Sequence, residues 1–159
     1  MLYLILHNIR SSENVGAIFR TADAAGVLKI FLTGYTPAPV DRFGRPNSKL
    51  VKSSLGAETF VEWEQKKDVQ ELISELQKKG VSVVSVEQSP KSIPYDTFEY
   101  KHPLALIFGN EVDGVPKEIL NVSDAIVEIP MKGKKESLNV SVSVGIVLFR
   151  VASSPPSKL

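Results

Sequence analysis

No cysteine occurs among the 159 residues, which excludes disulfide staples and thiolate metal sites and suits a reducing cytosol. Long apolar runs are missing as well. The opening Leu2 to His7, LYLILH, is apolar, but it lacks a basic leader and is too short for a signal peptide or a bilayer span. No membrane, no metal and a cytoplasmic location are therefore expected. Charge of one sign is scarce: 19 Lys and Arg face 18 Asp and Glu, a formal net charge of +1. That balance neither demands nor excludes a nucleic-acid partner, because steering depends on where charges cluster. No internal repeat or low-complexity block is visible. What is present is a composition 43% hydrophobic and 23% charged with mean hydropathy +0.01, typical of soluble globular chains. The length suits one domain, able to bury roughly 70% of its unfolded surface.

Five short apolar runs are expected as strands: Leu2 to His7, Leu28 to Gly34, Val81 to Val86, Leu104 to Gly109 and Ala125 to Pro130. Apolar on both faces, they suit a covered parallel sheet. Two helical patterns lie between them. One carries Val15, Ile18, Phe19, Ala22 and Ala25 with Gly26 as a stop; the other carries Val69, Leu72, Ile73 and Leu76 with Gly80 as a stop. Alternating strand and helix indicates an α/β fold. The stretch Gly34 to Lys49, GYTPAPVDRFGRPNSK, is rich in Pro and Gly, carries Arg42, Arg45 and Lys49, and is expected as a long loop. Residues 1–152 are expected as one domain and 153–159 as a flexible C-terminal tail.

The stretch Ile129 to Gly145, IPMKGKKESLNVSVSVG, supports two readings. Leu138, Val140, Val142 and Val144 alternate with polar residues at the strand period, whereas Leu138, Val142, Gly145, Ile146 and Phe149 share one helical face. β-branched content argues against helix. The order of elements argues for it: a strand ending at Pro130, then a Gly-Lys loop, then a closing helix from Ser137 to Arg150.

Chemistry has three candidate places. Asn8 and Arg10 follow the first strand, and Asn14, Gly16 and Arg20 ride the first helix, where the plain reading is a helix-start Asn, a close-packing Gly and a solvated Arg. IFGNEVDGVP, from Ile107 to Pro116, follows a buried strand, where open α/β sheets place ligands. Its Gly spacing is neither a dinucleotide fingerprint nor a phosphate loop, and Glu111 and Asp113 disfavour a phosphate. A strand-to-helix turn with Pro116 in the first helical turn explains it equally well. Last, Ser137 and Asn139 stand at the expected start of the final helix, where a Ser cap is the plain account, and Lys132, Lys134 and Lys135 are most simply solvated.

Taken together, Asn14-x-Gly16-x-x-x-Arg20, Phe108-Gly-Asn-Glu-x-x-Gly114 and Ile129-Pro-Met-x-Gly-x-x-x-Ser137-Leu-Asn-Val-Ser141 resemble the three motifs of the SpoU-type RNA ribose 2′-O-methyltransferases, part of the SPOUT class. The resemblance spans nearly the whole chain. Val112, where relatives often carry Gly, and Val115, where Leu is common, depart from the pattern without removing a motif side chain.

The resemblance implies a mostly parallel sheet flanked by helices, with a C-terminal deep trefoil knot. It implies S-adenosyl-L-methionine held by backbone groups of three loops, with Val86, Glu87, Phe108, Gly109, Asn110, Glu111, Ile129, Met131, Ser137 and Leu138 as cofactor-binding residues. Arg20, Asn14, Glu111, Ser137 and Asn139 match the catalytic positions. A guanidinium holds its proton and is a poor base, so Arg20 is expected to clamp an RNA phosphate and polarise the 2′-hydroxyl while a phosphate oxygen or water takes the proton. Met1 leads straight into the first strand, so RNA contact is expected on this domain itself, through Arg10, Arg20, Arg42, Arg45, Lys49 and Lys52. A homodimer through the knot region is implied, one subunit's Arg20 lying near its partner's cofactor site. The expected substrate is tRNA, with rRNA next. Two alternatives stay open: a non-catalytic RNA-binding or assembly factor on the same fold, and an RNA base methyltransferase.

Overall fold

A computed structural model describes residues 1–153. Seven strands form one sheet: β1 Leu2–His7, β2 Lys29–Thr33, β3 Glu62–Lys66, β4 Ser82–Val86, β5 Ile93–Pro94, β6 Leu104–Phe108 and β7 Ala125–Glu128. Their order is β3-β2-β1-β6-β4-β7-β5, and every pairing is parallel. Parallel neighbours need crossovers that lay helices on both faces. The crossovers supply α1 Ser12–Ala25, α2 Ser48–Ser54, α3 Val69–Lys78 and α4 Lys117–Val122, and α5 Val140–Ala152 closes the chain.

Side-chain alternation divides the core. Leu4, Leu6, Ile30, Leu32, Leu106 and Phe108 point to one face and pack with Ile18 and Phe19 of α1 and Val144, Val147 and Leu148 of α5. Ile5, Phe31, Val83, Ala105 and Ile107 point to the other and meet Leu72, Ile73 and Leu76 of α3 and Ile119 of α4. Both faces are dry, which is why the strands read as unbroken apolar runs.

Local signals set the ends of the helices. Ser11 caps α1 by accepting the Asn14 N–H, and Gly26 ends it in the left-handed conformation at φ 73°. Asp68 caps α3 by accepting from the N–H groups of Gln70 and Glu71. The final segment is helical, but α5 begins at Val140 and not at Ser137. Asn139 holds the N-cap, its side chain accepting the Ser141 N–H, and this leaves Ser137 and Leu138 in the preceding loop. Likewise Pro116 is the N-cap residue of α4 rather than part of its first turn. Leu28, Gly34, Val81, Gly109, Ile129 and Pro130 fall just outside the strands expected to contain them.

Three of these strands and helices are not expected from the sequence. α2, SKLVKSS, buries only Leu50 and Ser54, too little to show a helical period. β3, EWEQK, is a polar edge strand held by its pairing with β2 and by Lys29–Glu64 and Lys66–Glu64 ion pairs of 2.7 and 3.2 Å. β5 is a two-residue edge strand containing Pro94, as an edge permits. Of the expected tail, Ser153 caps α5, and 154–159 lie outside the described residues.

Candidate functional site

β4, β6 and β7 lie side by side and run the same way, so the loops leaving their C-terminal ends converge. All ten expected cofactor residues, Val86, Glu87, Phe108, Gly109, Asn110, Glu111, Ile129, Met131, Ser137 and Leu138, line one pocket there. Glu128, Val140 and Ser143 line it too; nothing in the sequence pattern singles them out, because each sits inside an ordinary strand or helix run.

Hydrogen bonds tie the three loops together. Asn110 Oδ1 accepts from the N–H groups of Val112 and Asp113 at 2.8 and 2.9 Å, and Gly114 N–H closes the turn on Asn110 O at 2.9 Å. Gly114 has φ 69°, the left-handed region that favours glycine, and a Cβ there would stand 2.0 Å from Glu87 Oε2 and displace that carboxylate. Space left by that glycine lets Glu87 Oε2 accept the Val115 N–H at 2.8 Å. Next along the chain, Gln88 Nε2 donates to Glu136 O at 2.6 Å, joining the first loop to the third.

A second network joins the loops to α1. Glu111 accepts from the backbone N–H groups of Arg10 and Ser11 and from Asn14 Nδ2, at 3.0, 3.2 and 3.2 Å. Asn14 Oδ1 in turn accepts from Asn139 Nδ2 at 3.1 Å, and Asn139 Oδ1 accepts from the N–H and hydroxyl of Ser141. Partial desolvation works to raise the Glu111 carboxyl. The N–H donors of Arg10, Glu111 itself and Ser11, with the Asn14 amide, outweigh it and hold the group below the usual carboxylate range. Glu111 is thus an ionised brace whose lone pairs are largely taken.

Asn14, Glu111 and Asn139 are joined directly, and Ser137 lines the adjoining pocket. Arg20 is not brought to them. It lies six residues beyond Asn14, roughly 120° round the helix axis, is exposed, and does not line the pocket. Arg10, Arg42, Arg45, Lys49 and Lys52 are exposed as well. Arg45 Nε pairs with Asp41 Oδ2 at 2.7 Å.

Tyr35, which no sequence motif marks, is tied to the site as well. Its hydroxyl accepts Asn110 Nδ2 at 2.8 Å, and its N–H donates to Asn8 Oδ1 at 3.1 Å. A lone aromatic in a Pro-rich loop carries no signal of such a tie.

The pocket's chemistry is selective. Among the described residues, four carboxylates, Glu87, Glu111, Asp113 and Glu128, and no Lys or Arg line it, beside apolar Ile129, Met131 and Leu138 and exposed loop backbone. That lining rejects a phosphate and accepts a flat neutral base or a cation. Among the described residues no group of three or more His, Asp or Glu side chains is placed to hold a metal ion, and no helix is long and apolar enough to cross a membrane.

Comparison with known proteins agrees over nearly the whole length. The model of the SpoU rRNA Methylase family matches residues 1–149. The chain is 34% identical over 160 aligned positions to the 23S rRNA (guanosine-2′-O-)-methyltransferase RlmB of Ralstonia nicotianae, covering 99% of this chain and 61% of the relative. It is 32% identical over 148 positions to the tRNA (guanosine(18)-2′-O)-methyltransferase of Aquifex aeolicus, covering 93% and 67%. Its fold superposes on an AdoMet-bound rRNA methyltransferase from Sinorhizobium meliloti with TM-score 0.84 at 33% identity, covering 94% of this chain and 54% of that one. The chain thus spans about half to two thirds of the length of these proteins.

Proposed function

This chain belongs to the SpoU rRNA Methylase family, and on that premise we propose that it is an S-adenosyl-L-methionine-dependent methyltransferase acting on a ribose 2′-hydroxyl of structured RNA, tRNA first and rRNA next. The observation that carries the reading is the meeting of all three motifs in one place: the Glu111–Asn14–Asn139 network stands at the edge of the pocket formed by the loops after β4, β6 and β7. The pocket fits the cofactor. Its backbone groups and the apolar Ile129, Met131 and Leu138 suit a neutral adenine edge, and its carboxylates suit a cationic donor.

Bound there, the cofactor would supply an electrophilic methyl group on a sulfonium centre. The protein's own part is orientation and charge. Asn14 and Asn139, held by Glu111 and the α5 cap, fix the floor on which the ribose rests, and Ser137 offers a hydroxyl from the pocket wall. Arg20 clamps a neighbouring RNA phosphate and polarises the 2′-hydroxyl, whose proton leaves to a phosphate oxygen or water.

Because Arg20 is exposed and away from its own pocket, it serves the pocket of a second copy in a homodimer built on the C-terminal region. That region carries exposed Val142 and Phe149 on α5. The segment between β7 and α5 completes a trefoil knot in this reading, residues 1–152 form a single catalytic domain in the cytoplasm, and Arg10, Arg42, Arg45, Lys49 and Lys52 meet RNA.

The test is nucleoside analysis of tRNA and rRNA after incubation with the protein and methyl-labelled cofactor. Label in 2′-O-methylnucleosides is expected. Label in bases would assign a base methyltransferase, and none in either RNA, with RNA binding intact, a non-catalytic factor. Arg20→Ala is expected to lower turnover roughly 100-fold or more with cofactor affinity unchanged; normal turnover would remove Arg20 from the chemistry.

A further inference from the structure

The fold leaves one aromatic ring of the 34–47 loop without a packing role. Phe43 is 67% exposed, at the tip of a turn closed by the Val40–Pro46 bridge. The turn is not slack. Asp41 N–H donates to Arg45 O at 2.9 Å and Gly44 N–H to Asp41 O at 3.0 Å, while Asp41 Oδ1 accepts the N–H groups of Phe43 and Arg45 at 2.8 and 3.0 Å. Two guanidinium groups attend the ring: Cζ of Arg42 lies 4.8 Å and Cζ of Arg45 5.1 Å from its centroid. The foot of the loop is fastened to the site. Tyr35 is held by Asn110 and Asn8, and Asn47 Nδ2 donates to Ser12 Oγ at 3.0 Å. The loop also leaves the C-terminal end of β2, the same edge of the sheet as the pocket loops.

We propose that Phe43, with Arg42 and Arg45 beside it, is a nucleobase-stacking platform that receives an unpaired base of the RNA substrate. An exposed Phe buries little apolar surface and gains only its guanidinium contacts from the fold, but a nucleobase offers it a flat π-face. The flanking guanidinium groups supply what a base brings with it, a partner for the adjoining phosphate and a second planar surface for stacking. Asp41 offsets one of the two cations through Arg45, so the tip is only mildly basic and favours a base over a bare polyanion. Holding the ring in a hydrogen-bonded turn reduces the ordering cost on binding.

This inference rests on the RNA reading above, and its test separates the two. Affinity of the full chain for unfractionated tRNA and for heparin, a polyanion without bases, is measured over a salt series. Phe43→Ala is expected to weaken tRNA binding about tenfold or more, to leave the salt slope and heparin binding unchanged, and to keep wild-type cofactor affinity. Arg42→Ala is expected to lower the salt slope by about one unit. Phe43→Trp is expected to keep tRNA affinity, with the added indole quenched by tRNA over the Trp63 background. Equal tRNA affinity of wild type and Phe43→Ala, parallel loss of heparin binding, or an unquenched indole would overturn the platform while leaving the RNA reading standing. A wild-type chain with no measurable affinity for tRNA even at low salt would end both.

Discussion

Glu111 shows how much one side chain can hold. Its carboxylate receives N–H groups from the chain entering α1 and the amide of Asn14, so a charge that looks like a general base is committed to geometry. Glu111→Gln turns part of an acceptor into a donor facing donors, and should cost about 1 kcal/mol of stability at pH 7, with turnover falling more than stability because Asn14 and Asn139 lose their brace. The folded pKa is depressed, so the carboxylate's contribution is full above the ordinary value of about 4.5 and is lost as pH falls through the folded value. Denaturant titrations of both forms should therefore diverge at pH 7 and converge well below pH 4. A gap independent of pH would show that ionisation is not what Glu111 contributes. The sequence made Asn14, Glu111 and Asn139 visible as motif positions; it could not make visible that they bond to each other, because they lie 97 and 125 residues apart.

At the scale of elements, legibility followed apolar content. β1, β6, α1 and α3 bury continuous or periodic apolar residues and could be read directly. α2 could not, since its place is set by α1 rather than by its own pattern. Gly16 of α1 lets it approach: a Cβ there would stand 2.3 Å from Leu50 O and 2.0 Å from Ser53 Oγ, and Ser53 Oγ itself donates to Glu13 O at 3.0 Å. Gly16→Ala should separate the two helices at a cost of about 1–3 kcal/mol, seen as a Tm several degrees lower; an unchanged Tm would mean that α2 is free to shift. The ambiguity over α5 was resolved by its cap. Val142, Gly145, Ile146 and Phe149 keep the helical face noted in sequence, while Val140, Val144, Val147, Leu148 and Val151 bury the opposite one. An apolar surface on both sides obscures the period of either.

For the whole molecule, strand order is what sequence pattern leaves unstated. Placing β6 between β1 and β4 and β7 beside β4 brings the second and third motifs together and sets both against the first. No run of residues encodes that order locally; it follows from how crossovers cover two faces. The loops brought together in this way form the pocket that suits a cationic methyl donor. Calorimetric titration of the wild-type chain with S-adenosyl-L-methionine measures this most directly. Saturable binding of one molecule per chain, retained in Arg20→Ala, is expected; heat of dilution alone at every concentration would mean that the loops form no such pocket.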